Sequence, residues 1–447
     1  MDKPTRRDFL KTSASAAAVS ALASVALPHV HAQGDNTIKL ALVGCGGRGS
    51  GAAMNALSTQ GGPIKLVAMA DVFDARLQKS LESIQKAKPE QVDVPPERRF
   101  IGLDAYKKAI DCLGPGDIVA LATPPVFRPL HFEYAVQKGV NAFIEKSFGV
   151  DGPALRRMFK NAELSEQKNL KVVAGLMCRH CVARQELFER IRRGEIGDVI
   201  LLRAYRMHGP VGGVGKRPDD VTELLHQIRH WPAFTWTSGS FFVDWLIHNI
   251  DECCWMKNAW PASASGMAGC YYRRNPGQVL DHYSVEYTFP DGTKLFAQGR
   301  CMSGCQEHFA SYAHGAKGSA LISTGVHAGR VEIFRGQNMT KEESVWRWEK
   351  EKRPPNMYQL EWDTLVASVR ENKPHNEARR AAEAGLTAVM GRMAAHSGTL
   401  VTREEALNSA LDLTPGIDTW TADSPAPIQP GPDGNYPLPQ PGVVKEY

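Results

Sequence analysis

Residues 38–43 form a short apolar run that leads without a break into Gly44-Cys45-Gly46-Gly47-Arg48-Gly49-Ser50. A second apolar run follows and ends at Asp71, 22 residues after Gly49. This is the strand, glycine turn, helix and acidic strand end of a dinucleotide-binding unit. Gly44 permits the tight turn, Gly46 lets backbone approach a pyrophosphate, and Gly49 lets the helix starting near Arg48 pack on the strand. Gly47 lies in the same loop. The helix N-terminus offers free N–H groups and a positive dipole end to phosphates. Asp71 suits the ribose hydroxyls and repels a 2′-phosphate, so NAD is expected over NADP. Arg48 and Arg76 would offset that repulsion, which leaves NADP open.

The alternation continues down the chain. Helices are expected over 75–86, 103–112 and 129–138, the last stopped by Gly139. Strands are expected over 99–101, 117–122 and 141–144. Strands alternating with helices predict a doubly wound parallel sheet, with ligands at the carboxyl ends of its strands. Gly44, Asp71, Thr123-Pro124 and Glu145-Lys146 all fall at such ends. The second half reads differently. Runs of β-type composition over 198–207, 262–272, 284–289, 293–301 and 320–323 predict a mostly antiparallel sheet, with a hairpin turn at Asp291-Gly292. Late helices are expected over 357–371 and 376–397. The domains expected are 37–150 and 151–400. The tail, 422–447, is rich in Pro and Gly and reads as an extended strap or a disordered end.

These residues resemble the Gfo/Idh/MocA oxidoreductases, the glucose–fructose oxidoreductase and inositol dehydrogenase family, over roughly 37–395. The resemblance rests on the glycine loop, Asp71, Ala122-Thr123-Pro124 and Glu145-Lys146. Members usually carry Glu-Lys-Pro, where this chain has Ser147 for the proline. Many also have a histidine where Arg128 stands. Asp244 and His248 lie four apart and share one helical face. With Lys146 they resemble the family's Lys/Asp/His set. The resemblance implies hydride transfer between a nicotinamide dinucleotide and a secondary hydroxyl of a sugar, polyol or glycoside. His248 would be the base, with an unperturbed pKa of about 6.5 near working pH. Lys146 would stabilise charge developing on the oxygen. Asp244 would orient His248 or hold a neighbouring hydroxyl. A dimer or tetramer, through the open face of the second sheet, is implied by the resemblance alone.

Other substrate contacts are expected in the Gly- and Pro-rich stretch 208–239, where Trp231 and Trp236 offer faces suited to sugar C–H groups. Arg179 and His180, which open the helix after a strand over 172–177, are further candidates. Cys178/Cys181 and Cys301/Cys305 are spaced like metal or redox pairs, but they are about 120 residues apart and lack the matched spacing of a zinc ribbon. No metal is expected.

Thr5-Arg6-Arg7-Asp8-Phe9-Leu10-Lys11 resembles a twin-arginine (Tat) export signal. An Ala-rich stretch follows, and Val30-His31-Ala32 fits a signal-peptidase site, so 1–32 reads as a signal peptide. The chain is then expected to fold, collect its cofactor and leave the cytoplasm for the periplasm through the Tat machinery. A net charge of +5 over 447 residues gives no reason to invoke nucleic acid. Two other functions compete with a dehydrogenase. One is an NAD-dependent glycosidase working by transient oxidation and elimination; exported members of that kind tend to lack the lysine that Lys146 supplies. The other is a non-catalytic sugar-binding protein with a relic nucleotide site, against which the intact loop and Lys/Asp/His set argue.

Overall fold

A computed structural model describes residues 36–273, 275–327, 329–349 and 355–447. The signal segment at 1–32 lies outside the described residues. Six strands, β1 (Ile38–Val43), β2 (Ile64–Asp71), β3 (Arg99–Ile101), β4 (Ile118–Leu121), β5 (Asn141–Ile144) and β6 (Val172–Ala174), form a sheet in the order β3-β2-β1-β4-β5-β6. Every pairing in it is parallel. β1, β2, β4, β5 and β6 are almost wholly buried, as expected when helices cover both faces of a sheet. The order of connection reverses between β1 and β4, so a crevice opens at their carboxyl ends.

The boundary expected at 150 falls short. Helix Gly152–Gln167 and β6 come after it and complete the first sheet. Asp151 caps that helix by accepting from Ala154 N–H at 2.9 Å. Helix Met357–Arg370 also returns to this half. Its Trp362 stacks on Phe143 of β5, with ring centroids 4.5 Å apart.

The second sheet contains β7 (Val199–His208), β8 (Ser263–Gly269), β9 (His282–Thr288), β10 (Lys294–Cys301), β11 (His308–Gly315), β12 (Ser319–Thr324), β13 (Glu332–Phe334), β14 (Ser344–Arg347) and β15 (Val401–Thr402). Its order is β14-β13-β12-β11-β7-β10-β9-β8-β15. All pairings are antiparallel except β7 with β10. Helices Phe241–Lys257 and Ala378–Ser397 cover one face, and their apolar side chains join those of both sheets in one core. The opposite face is left open, with Arg203 set over the ring of Tyr312 at 4.7 Å.

Several sequence expectations needed adjustment. β11, β13, β14 and β15 go beyond the expected strands: β11 carries His, Ser and Gly in its run, and β13, β14 and β15 are only three, four and two residues long. Stretch 208–239 contains helix Glu223–Arg229, whose N-cap Thr222 accepts from Leu225 N–H. The tail is a strap without helix or strand. Its Glu446 is buried and bonds Arg392 at 2.9 Å and His396 at 3.0 Å, both on helix Ala378–Ser397. No described helix is long and apolar enough to cross a membrane.

Candidate functional site

The crevice opens into one cavity of about 350 Å³ that runs from the glycine loop to helix Phe241–Lys257. At the loop end the backbone sets the shape. Gly44 has φ +96°, and a Cβ there would lie 2.6 Å from the backbone of Ala122 and Thr123. A Cβ on Gly49 would lie 1.9 Å from Gly44 O. Gly46 and Gly47 are the opposite case. No atom lies within 4 Å of their missing Cβ positions, so the loop presents bare backbone to the space in front of it. Helix Gly47–Ala56 begins there, and the Gly46 N-cap has no side-chain hydrogen bond. That bare cradle at a helix N-terminus fits a pyrophosphate.

Asp71 ends β2 and lines the cavity. Its Oδ2 accepts from Cys45 N–H at 2.7 Å and its Oδ1 from Phe73 N–H at 2.9 Å. Its carboxylate therefore fixes the glycine loop, a role the sequence did not suggest. Each oxygen keeps a further lone pair for a ribose hydroxyl. Thr123 and Pro124 line the same wall. Thr123 Oγ1 lies 3.3 Å from His131 Nδ1. Burial and Arg128 push that imidazole down to about 3, so it stays neutral.

At the middle of the cavity Glu145, at the end of β5, binds Arg48 Nε. Arg48 also reaches Glu361 at 3.1 Å and lies over the Tyr358 ring at 4.9 Å. Arg48 is thus spent on two carboxylates, which weakens its expected offset against a 2′-phosphate. Arg128 is buried and donates to Ser147 O at 2.8 Å. The Lys146–Ser147 peptide is cis.

Lys146 Nζ lies 3.0 Å from Asp244 Oδ1 and also donates to the Asp244 backbone oxygen. His248, one turn further along helix Phe241–Lys257, lines the cavity and is 6% exposed. Its ring packs edge-on to His327 at 4.5 Å, and its Nδ1 is buried with no partner. Burial first, then His327 and Lys146, push the His248 pKa well below the usual histidine range. These surroundings move the imidazole away from the unperturbed histidine value and favour its neutral form.

The remaining candidates divide. Trp231 lines the cavity. Trp236 does not; it is buried, donates to Gln227 at 2.6 Å and packs edge-on to Phe127 and Trp420. Arg179 is held by Asp251 through two bonds of 2.8 and 2.6 Å, and His180 faces Glu377 at 3.4 Å. Arg179 is ion-paired inside the body, His180 packs beside a buried carboxyl group, and neither lines the cavity; they sit on a 3₁₀ turn ahead of the helix. All nine cysteines are free thiols. Cys178 Sγ lies 3.9 Å from His327 Nδ1, and donor atoms of Cys178, His248 and His327 lie within 4.8 Å of one another. Lys146 and Arg206 act electrostatically on these histidines, and their charge opposes a cation at that point.

Sequence reading missed Arg206, Trp245, His327 and Tyr358, which line the cavity with the expected residues. Arg206 and His327 come from β7 and from the loop after β12, with no motif around them. Trp245 stands directly beside Asp244 in the sequence.

A parallel sheet with a glycine loop at its switch point, joined to a large mixed sheet that closes the same cavity, defines a two-sheet dinucleotide-binding fold. Solved structures of this fold cover 82% of the chain. Myo-inositol 2-dehydrogenase from Lactobacillus plantarum matches with a TM-score of 0.61 at 21% identity, over 99% of its own length. Scyllo-inositol dehydrogenase from Lactobacillus casei, solved with NAD(H) and scyllo-inositol, matches at 0.59 and 21%, also over 99% of its length. Aldose-aldose oxidoreductase from Caulobacter crescentus matches at 0.62 and 15%, again over 99%. At these identities the likeness is one of fold. No curated protein sequence matches the chain. Residues 3–23 match the model of the TAT (twin-arginine translocation) pathway signal sequence, which marks the chain for export by that route.

Proposed function

We propose that the protein is an exported NAD-dependent oxidoreductase acting on a secondary hydroxyl of a polyol or sugar. The observation that carries this reading is the meeting of three features on one cavity: the bare glycine cradle, the Lys146–Asp244 ion pair, and the neutral, buried His248. The dinucleotide-bound fold relative and the polyol and aldose enzymes sharing the fold support it.

The residues suited to hold NAD are Gly44, Gly46 and Gly47 at the pyrophosphate, Asp71 at the ribose, and Thr123, Pro124 and Glu145 along the wall. Bound there, the nicotinamide would supply the hydride acceptor or donor. The chain's own groups do the rest. Lys146 leans on Asp244 through two hydrogen bonds and presents its third N–H to the substrate oxygen, where it stabilises negative charge in a water-poor site. The His248 ring is neutral and can take the hydroxyl proton. Asp244 holds Lys146 in place through its carboxylate and its backbone oxygen. Trp231 and Trp245 provide apolar faces for ring C–H groups. Copies of the chain are proposed to associate through the open face of the nine-stranded sheet.

The test is direct. Mature protein recovered after export is denatured, and any released dinucleotide is identified by mass, with its redox state read near 340 nm. Near-stoichiometric NAD(H), reduced on adding a polyol or aldose, is the expected result. No dinucleotide, and none taken up when offered, would overturn the reading in favour of a binding protein.

A further inference from the structure

Arg206 stands in β7, directly opposite Phe309 of β11 and Gly299 of β10. It shares the inner face with Leu202 and Ala204, so its side chain points under helix Phe241–Lys257 and into the cavity. The guanidinium lies 3.8 Å from the centre of the Phe309 ring and 5.0 Å from that of Trp245. On its other flank, Leu246 and Phe241 fill the space over Gly299. The two rings hold the guanidinium at the cavity wall.

Its charge is not matched. The buried Arg179, Arg184 and Arg392 are each met by a carboxylate, from Asp251, Glu252 and Glu446, whereas the buried Arg128 donates to the Ser147 backbone oxygen. Arg206 has no ion pair among the described residues, and its Nε and Nη1 are buried without a partner. Burial lowers its pKa to about 10, and the only groups working the other way are the neutral Tyr358 and Cys178. It stays charged at working pH. Leaving such donors unmatched costs stability unless a ligand satisfies them. The neighbours do not supply the missing anion, because Asp244 is already paired with Lys146 and His248 and His327 are neutral. Dinucleotide phosphates would not resolve it, since the glycine cradle that would hold them lines the other end of the cavity.

We propose that the histidine end of the cavity is an anion subsite built on Arg206, and that the substrate is a polyhydroxylated compound carrying a carboxylate or phosphate. Guanidinium binding of such an anion is charge-assisted and orients it. It would place one ring hydroxyl against Lys146 and His248. The identity of the reacting group rests on the dehydrogenase reading; the anion preference does not.

The test is calorimetric binding to the mature, dinucleotide-loaded protein. The probes are D-glucuronate, D-galacturonate and D-gluconate, the methyl ester of glucuronate, D-glucose, and glucose 6-phosphate. The expected result is that at least one acid or the phosphate binds roughly 10- to 100-fold tighter than its neutral counterpart. Preference for a sugar acid would identify the anion as carboxylate, and preference for glucose 6-phosphate would identify it as phosphate. Arg206→Gln should collapse the acid-to-neutral ratio toward one, and Arg206→Lys should restore part of it. Equal binding of charged and neutral probes, no binding by any probe, or a ratio unchanged in Arg206→Gln overturns the proposal. The acid-against-ester comparison uses only the natural protein, so it decides the matter even where a variant does not fold. Absorbance near 340 nm, read in the same samples, separates the two readings. Discriminating binding without dinucleotide reduction by any probe or polyol would sink the dehydrogenase reading and leave the anion subsite standing.

Discussion

At the glycine-loop end of the cavity, the wall is made by strand ends and backbone from within 43–146. At the histidine end, the wall is made by side chains gathered from β7, helix Phe241–Lys257, the loop after β12 and helix Met357–Arg370. The first end recognises a ligand through N–H groups and missing Cβ atoms, which one short motif can encode. The second recognises a ligand through the charge and shape of side chains brought together over more than a hundred residues. A dinucleotide is the same molecule for every chain that binds it, whereas a substrate is not. The division of labour therefore puts what is general in local backbone and what is particular in long-range packing.

The sharpest way to break this comparison is to remove chemistry at the histidine end and ask whether the loop end notices. Lys146→Ala or His248→Ala should lower kcat by about 10³-fold, in the range of a lost acid–base or charge-stabilising group, while dinucleotide affinity stays within threefold. Equal losses in both would mean that the two ends are not separable.

Next in size is a contrast between two tryptophans once expected to share a task. Trp236→Ala should cost about 3–5 kcal/mol in urea unfolding, because the indole is buried and hydrogen-bonded. Trp231→Ala should leave stability within about 1 kcal/mol and raise KM instead, since it lines the cavity. A large KM effect from Trp236 with unchanged stability would reverse the assignment.

The strap gives a third handle, outside both ends. Burial would raise the Glu446 carboxyl, but Arg392 and His396 outweigh it and hold it down to about 2. Because the folded-state value is depressed, the stabilisation is complete above an unfolded value of about 4.3 and drains away as pH falls toward 2. Unfolding free energy should fall by about 3 kcal/mol across that window from this group alone. Glu446→Gln should be less stable at neutral pH and should lack that part of the acid dependence.

The smallest expected effect sharpens the loop end. Gly46→Ala adds a methyl that meets nothing in the folded chain, so thermal stability should hold. The same methyl intrudes on the ligand's space, so NAD affinity should fall by about tenfold or more, measured by fluorescence titration. Unchanged affinity would remove the loop from the binding surface.

The legibility of the two ends in the sequence follows the same line. β1, the glycine loop, Asp71, β5 and the helix carrying Asp244 and His248 were all readable, because each declares itself within a few residues of periodicity or spacing. Asp71's hold on Cys45 N–H was not, since two strands must pair before the carboxylate reaches the loop. Arg206 was hidden for a plainer reason: it is one polar residue in an amphipathic strand, where arginine ordinarily faces water. Arg179 and His180 misled in the opposite direction. Polar residues after a strand suggest a site, yet Asp251 and Glu377, distant in sequence, claim them for the interior. The low pKa of His248 depends on neighbours from four different segments and has no one-dimensional signature.

The place of β7 also has a bearing on time. Its two hydrogen-bonding edges are filled by β10 and β11, so that Leu201 pairs with Lys294 and with His314. A strand in the centre of the sheet thus waits for partners made roughly a hundred residues later, and a long loop must close before either edge is covered. Until then it offers two bare edges to any other chain nearby. The rate at which those two pairings form sets how long the newly made chain is open to aggregation, and how soon a finished body stands behind the signal at 3–23 for a route that carries folded cargo.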